Sequence, residues 1–140
     1  MEFTKIIIEA NINAPISKVW ENWTEPKHIT QWNNASDDWH TPHAENNLRV
    51  GGKFLSRMEA KDGSFGFDFE GVYSEIIPFK KIKYVLEDGR EVETIFTENG
   101  ETTKVITTFD AESENPIEMQ KGGWQAILNN FKEYTENETN

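Results

Sequence analysis

The sequence predicts an α+β fold: a curved antiparallel sheet of about six or seven strands wrapped on a long C-terminal helix, with two short helices after the first strand. Runs of alternating apolar residues recur around Asp62-Gly63, Asp88-Gly89 and Asn99-Gly100, which are strong hairpin dipeptides. The last apolar run changes period, with Trp124, Ile127, Leu128, Phe131 and Tyr134 at i, i+3, i+4, i+7 and i+10, the stripe of an amphipathic helix. Composition agrees: thirteen Ile stand against four Leu, which favours strands over a helix bundle. Nine Phe, five Trp and three Tyr supply large buried areas in a chain that is only 36% hydrophobic.

The first strand spans Ile6 to Ile12, with Ile6, Ile8, Ala10 and Ile12 on one face. Ala14-Pro15 ends it, and proline suits the first turn of the helix carrying Ile16, Val19, Trp20 and Trp23. Glu25-Pro26 restarts a second short helix with Ile29 and Trp32. Residues 33–47 show no period and are rich in Asn, Asp and His, so they read as a loop, and as the mobile edge through which a closed space is reached. From Leu48 the chain becomes a meander. Phe54, Met58 and Ala60 share one face of a strand; Phe65, Phe67, Phe69, Gly71 and Tyr73 repeat with period two. Pro78 ends that strand, and Ile82, Tyr84 and Leu86, then 92–96 and 105–109, give the remaining ones. Asn115, Pro116 and Glu118 read as N-cap, first-turn proline and capping-box acid, the glycine pair 122–123 as a weak point in the helix, and 135–140 as its frayed end.

Residues 1–140 hold no repeat, linker or low-complexity tract and read as one domain. No apolar run is long enough to insert into a membrane, and Met1–Lys5 lacks the features of a signal peptide, so a cytoplasmic location is expected. The absence of cysteine excludes disulfides, a thiolate nucleophile and Cys-type zinc sites. Twenty-five acids against fourteen bases give a net charge of −11 and no basic-aromatic patch, which excludes nucleic acid as a partner. The acidic surface reads as a solvated one; a basic protein partner is the alternative, and the chain is expected to be a monomer or homodimer.

Ala14-Pro15 with Val19-Trp20, Trp32, the string Leu48-Arg49-Val50-Gly51-Gly52-Lys53-Phe54, Gly71-Val72-Tyr73 and Gly123-Trp124 together resemble the activator of heat-shock-protein-90 ATPase homology domain, a family of the START-like (SRPBCC) superfamily. The resemblance covers nearly the whole chain and implies the helix-grip fold, in which the sheet grips the last helix over a hydrophobic cavity. Superfamily members include lipid and sterol carriers, polyketide cyclases, plant hormone-binding proteins and stress-response chaperone activators. Eukaryotic chaperone activators join this domain to a separate chaperone-engaging one, for which the sequence has no room.

Trp23, Trp39, Phe54, Met58, Phe67, Phe69, Tyr73, Tyr84, Phe96, Trp124, Leu128 and Phe131 are the candidate cavity residues, with Trp23 and Trp39 at the mouth. Trp20 and Trp32 read as core. Gly71 reads as a bulge or sheet bend, and Arg49 with Gly51-Gly52 as a bulge and ion pair at a strand start. His40 and His43, with His28, Asp37 and Asp38, read as a polar loop and not as a metal site. No cofactor and no catalytic residue is assigned; inward positions offer mainly Ser56, Glu75, Thr94 and tyrosines. The leading expectation is a binding domain for a small hydrophobic or aromatic molecule. The alternatives are an enzyme of the cyclase or hydrolase kind using His40, His43 or a tyrosine, and a chaperone-regulating interaction module.

Overall fold

The computed structural model describes residues 3–137. Its seven strands are β1 (Lys5–Ile12), β2 (Trp39–Asn46), β3 (Lys53–Ala60), β4 (Gly66–Ile77), β5 (Lys81–Leu86), β6 (Glu91–Asn99) and β7 (Thr102–Asp110); α1 (Ile16–Thr24) and α2 (Pro26–Trp32) follow β1, and α3 (Ile117–Asn137) closes the chain. The strands form one antiparallel sheet in the order β1-β7-β6-β5-β4-β3-β2. The sheet curls into a half-barrel around α3, so the predicted α+β architecture is the observed one.

Inward parity on β1 buries Ile6, Ile8 and Ile12, which face Val105 and Phe109 of β7, then Val92 and Phe96 of β6. At the start of β1 and the end of β7, Lys5 pairs with Asp110. Burial pushes the Asp110 carboxyl up, but hydrogen bonds from Lys5 and the Glu91 amide outweigh this and hold it below the usual range. The three hairpin glycines, Gly63, Gly89 and Gly100, all take positive φ, the conformation their turns require.

Several expectations change. The segment read as a loop contains β2, an edge strand whose pairing with β3 slips between His40 and His43, so Pro42 falls at the irregularity where no ladder donor is needed. The backbone edge of β3, not any periodicity of its own, makes that segment a strand. Gly71 is no bulge. A side chain there would put a Cβ 2.8 Å from Phe54 Cε2, so the glycine makes room for that ring. The bulge in β4 lies between Tyr73 and Glu75 and turns Glu75 outward, where it meets Lys81 at 2.9 Å. Gly51 and Gly52 do form the expected bulge: Gly51 takes a positive φ, its N–H donates to the Tyr73 carbonyl at 2.9 Å, and the Tyr73 N–H donates to the Gly52 carbonyl at 3.0 Å, but Arg49 forms no ion pair among the described residues.

At the head of α3, Asn115 does not cap the helix: its side chain turns back to Glu112 at 3.1 Å. Gln120 secures the first turn instead, accepting from the Glu112 amide at 2.9 Å and donating to the carbonyls of Glu112 and Asn115 at 3.1 and 2.8 Å. The helix passes through Gly122-Gly123 without interruption. Its end is anchored rather than frayed up to Asn137, because Thr135 is fully buried and bonded to Asn22 at 3.2 Å; residues 138–140 lie outside the described part.

Candidate functional site

The concave face is aromatic along its whole length, but it is packed at one end and hollow at the other. At the packed end α1 and α2 drive their indoles against β6 and α3. Trp20 meets Phe96 edge-on at 5.4 Å, Trp23 stacks on Trp32 at 5.3 Å, and Phe131 packs edge-on against both Trp23 and Trp32 at 4.8 and 4.9 Å. Trp32 is fixed further by its indole N–H, which donates to the Asn22 carbonyl at 2.9 Å.

Beyond this cluster lies a cavity of about 400 Å³ that opens to solvent. That volume falls in the ordinary range for small-molecule sites. Phe54 and Tyr84 meet edge-on at 4.5 Å on its sheet side, Phe69 and Trp124 at 6.1 Å join sheet to helix, and Trp124 lies flat on Phe109 at 3.9 Å. The space exists because inward positions between these rings are small: Ser56 on β3, Thr94 on β6 and Thr107 on β7.

Of the residues expected to line a cavity, Trp23, Phe54, Met58, Phe67, Phe69, Tyr73, Tyr84, Trp124 and Leu128 do so. Three do not. Phe96 and Phe131 are 3% and 0% exposed and belong to the packed end, because the indoles of α1 and α2 occupy the space in front of them. Trp39 pairs with Ala60, one inward step past Met58, and packs on Phe65 and Phe67 at 6.0 and 6.1 Å outside the cavity. Trp32, read as core, is both buried and part of the lining.

The polar lining is sparse. Thr94 and Thr107 share a hydrogen bond of 2.9 Å between buried hydroxyls on the cavity floor. The Tyr73 hydroxyl donates to Asn46 at 2.5 Å, and Asn46 donates to the Thr24 carbonyl at 2.6 Å, tying β4 and β2 to α1. Burial pushes the hydroxyls of Tyr73 and Tyr84 above the usual tyrosine range, so both stay protonated at neutral pH. None of the three histidines lines the cavity. His43 meets Glu45 at 2.7 Å, and His40 lies 3.8 Å from Glu59. His28 is buried with Nδ1 2.7 Å from Tyr134 Oη and Nε2 3.4 Å from Glu21. Among the described residues, Glu21, Glu25 and His28 form the one group with metal-holding spacing, so the histidines of β2 take no part in it.

The family model described as Activator of Hsp90 ATPase homolog 1-like protein matches residues 13–136. The chain belongs to this family. Two solved structures are similar in both sequence and fold. The AHSA1-like protein from Aeromonas hydrophila is 46% identical, with a TM-score of 0.89 over 96% of this chain and 93% of that one. Chr148 from Cytophaga hutchinsonii is 51% identical, with a TM-score of 0.83 over 95% and 92%. Protein NE0264 from Nitrosomonas europaea, at 17% identity and a TM-score of 0.83 over 96% of both chains, shares the fold. No curated protein matches the chain. Among the described residues no helix is long and apolar enough to cross a membrane.

For this member of the Hsp90 ATPase activator-like family, the sequence showed the ring-bearing walls but missed Arg90, Glu112, Asn33 and Glu45, which also line the cavity. The signal for Arg90 is its parity: it stands two residues before inward-facing Val92.

Proposed function

We propose that this chain is a binding domain for a small, largely apolar molecule held in the cavity between the sheet and α3. The observation that carries the reading is the hollow itself. Small side chains at inward positions leave about 400 Å³ open among aromatic rings, where a core built only for stability would be filled. Membership of a START-like family supports the same reading. An enzymatic role for His40 or His43 has no geometric support, since both lie outside the lining; Tyr73 and Tyr84 line it with hydroxyls held in the protonated form, which argues against either acting as a base.

A panel of apolar naphthalene derivatives tests the reading by thermal shift and amide NMR. At a hundredfold excess over Kd, binding adds about 2.7 kcal/mol to stability, which raises Tm by several degrees. Ile127→Trp, which projects an indole into the lining, is expected to abolish that rise while the protein stays folded. A panel that moves neither Tm nor any amide signal of cavity residues would overturn the proposal.

A further inference from the structure

One end of the cavity differs chemically from its walls. Val92, Thr94 and Phe96 of β6 are buried on the concave side, and Arg90 has the same parity. The Leu86 amide donates to the Arg90 carbonyl at 2.8 Å, which sets Arg90 opposite inward-facing Leu86. Tyr84 pairs with Val92, so Arg90 is its diagonal neighbour on the same face. Both side chains line the cavity.

Neither side chain has its donors satisfied by the protein. Asp88 takes the Arg90 Nε at 2.7 Å, and the two terminal guanidinium nitrogens have no acceptor among the described residues. The Tyr84 hydroxyl likewise has no hydrogen-bond partner among them. A guanidinium only donates. Burial, and next the nearness of Tyr73, push the phenol pKa up by more than the Arg90 charge lowers it, so Tyr84 also keeps a proton to give.

The same end is rich in carboxylates. Asp88 sits on Arg90, Asp110 lies at the end of β7 beside Glu91, and Glu112 is part of the lining. A full anion placed there would meet these acids as well as the guanidinium; a neutral oxygen would meet the donors without that repulsion.

We infer that the cavity selects molecules bearing a neutral oxygen acceptor, a carbonyl above all, on an apolar or aromatic body, with Arg90 and Tyr84 donating to that oxygen. This rests on the ligand-binding reading and adds the chemical class. A ligand without the oxygen displaces water from these donors and leaves them unpaired, so discrimination should reach about tenfold or more.

The test uses three probes of one shape that differ in a single group: 2-ethylnaphthalene, 2-acetylnaphthalene and 2-naphthoate, with affinities read from amide NMR titrations. The acetyl compound is expected to bind about tenfold tighter than the ethyl compound or better, with the naphthoate weaker than the acetyl compound. Arg90→Met is expected to remove most of that preference and Tyr84→Phe part of it. If Arg90→Met fails to fold, Arg90→Leu, which likewise carries no donor, serves the same purpose. Equal binding of the ethyl and acetyl compounds, a preference untouched by both Arg90 and Tyr84 variants, or tightest binding of the naphthoate would overturn this inference and leave the apolar site standing. Failure of all three probes to bind would overturn both.

Discussion

The two ends of the concave face use the same kind of residue to opposite effect. At one end Trp20, Trp23, Trp32, Phe96 and Phe131 interlock, and Phe131 and Phe96 are almost wholly buried. At the other, Phe54, Phe69, Tyr84 and Trp124 border a space of about 400 Å³. Aromatic content therefore does not distinguish a core from a pocket. The residues between the rings do: β6 carries Phe96 towards the packed end and Thr94 where the space opens, β3 and β7 supply Ser56 and Thr107, and Gly71 on β4 lets Phe54 lie close to the sheet. A pocket in this fold is a core with selected positions left small.

The largest test of that difference is a pair of truncations. Phe131→Ala removes a ring that is 0% exposed and wedged against two indoles, and is expected to destabilise the fold by about 3–5 kcal/mol. Phe69→Ala removes a half-buried ring that already borders empty space, and is expected to lose only about 1–1.5 kcal/mol. Denaturant unfolding of both variants checks the ordering. Equal losses would mean that the hollow end is packed as tightly in solution as the filled one.

A smaller effect comes from adding one carbon. In Gly71→Ala the new methyl would lie 2.8 Å from Phe54 Cε2 and 3.1 Å from the Val85 carbonyl oxygen. The ring has space only on the cavity side, so it is expected to turn inward, at a stability loss of about 1–2 kcal/mol and with weakened binding of naphthalene probes. Gly122→Ala, where the added carbon meets nothing within 4 Å, is the control and is expected to stabilise α3 by about 0.5–1 kcal/mol. A Gly71→Ala protein as stable and as receptive as the unaltered chain would show that the close approach of Phe54 to β4 is not what shapes the pocket.

Features that depend on near neighbours in the chain were legible in the sequence. The turn dipeptides at 62–63, 88–89 and 99–100 and the stripe from Trp124 to Tyr134 gave the meander and α3, and alternation on β3 to β6 gave most of the wall. Features set by distant partners were not. Pro42 and the polar run from Trp39 to Asn46 conceal β2, which exists because β3 offers it a ladder. One bulge after Tyr73 reverses the expected direction of Glu75. The same alternation that placed Phe54 and Tyr84 could not show that Phe96 stands behind two indoles whereas Tyr84 faces open space. Which rings touch is decided by how α1 and α2 dock, and nothing local in the strands encodes that docking.

The finest distinction lies between two tyrosines that pair across β4 and β5. Tyr73 and Tyr84 both face the cavity, and burial raises the pKa of both. Tyr73 has a structural task, since its hydroxyl donates to Asn46 at 2.5 Å and Asn46 holds the end of α1. Tyr73→Phe leaves that acceptor without its donor and is expected to destabilise the fold by about 1–2 kcal/mol. Tyr84 has no such partner, so Tyr84→Phe should shift stability by less than about 0.5 kcal/mol in either direction, because it removes a hydroxyl that the folded chain leaves unbonded. Denaturant melts of the two variants give the comparison directly. A large loss for Tyr84→Phe would mean that its hydroxyl is engaged within the protein and unavailable to a guest. A small one leaves beside Arg90 a donor that the fold does not use, as the proposed contact with a ligand's oxygen requires.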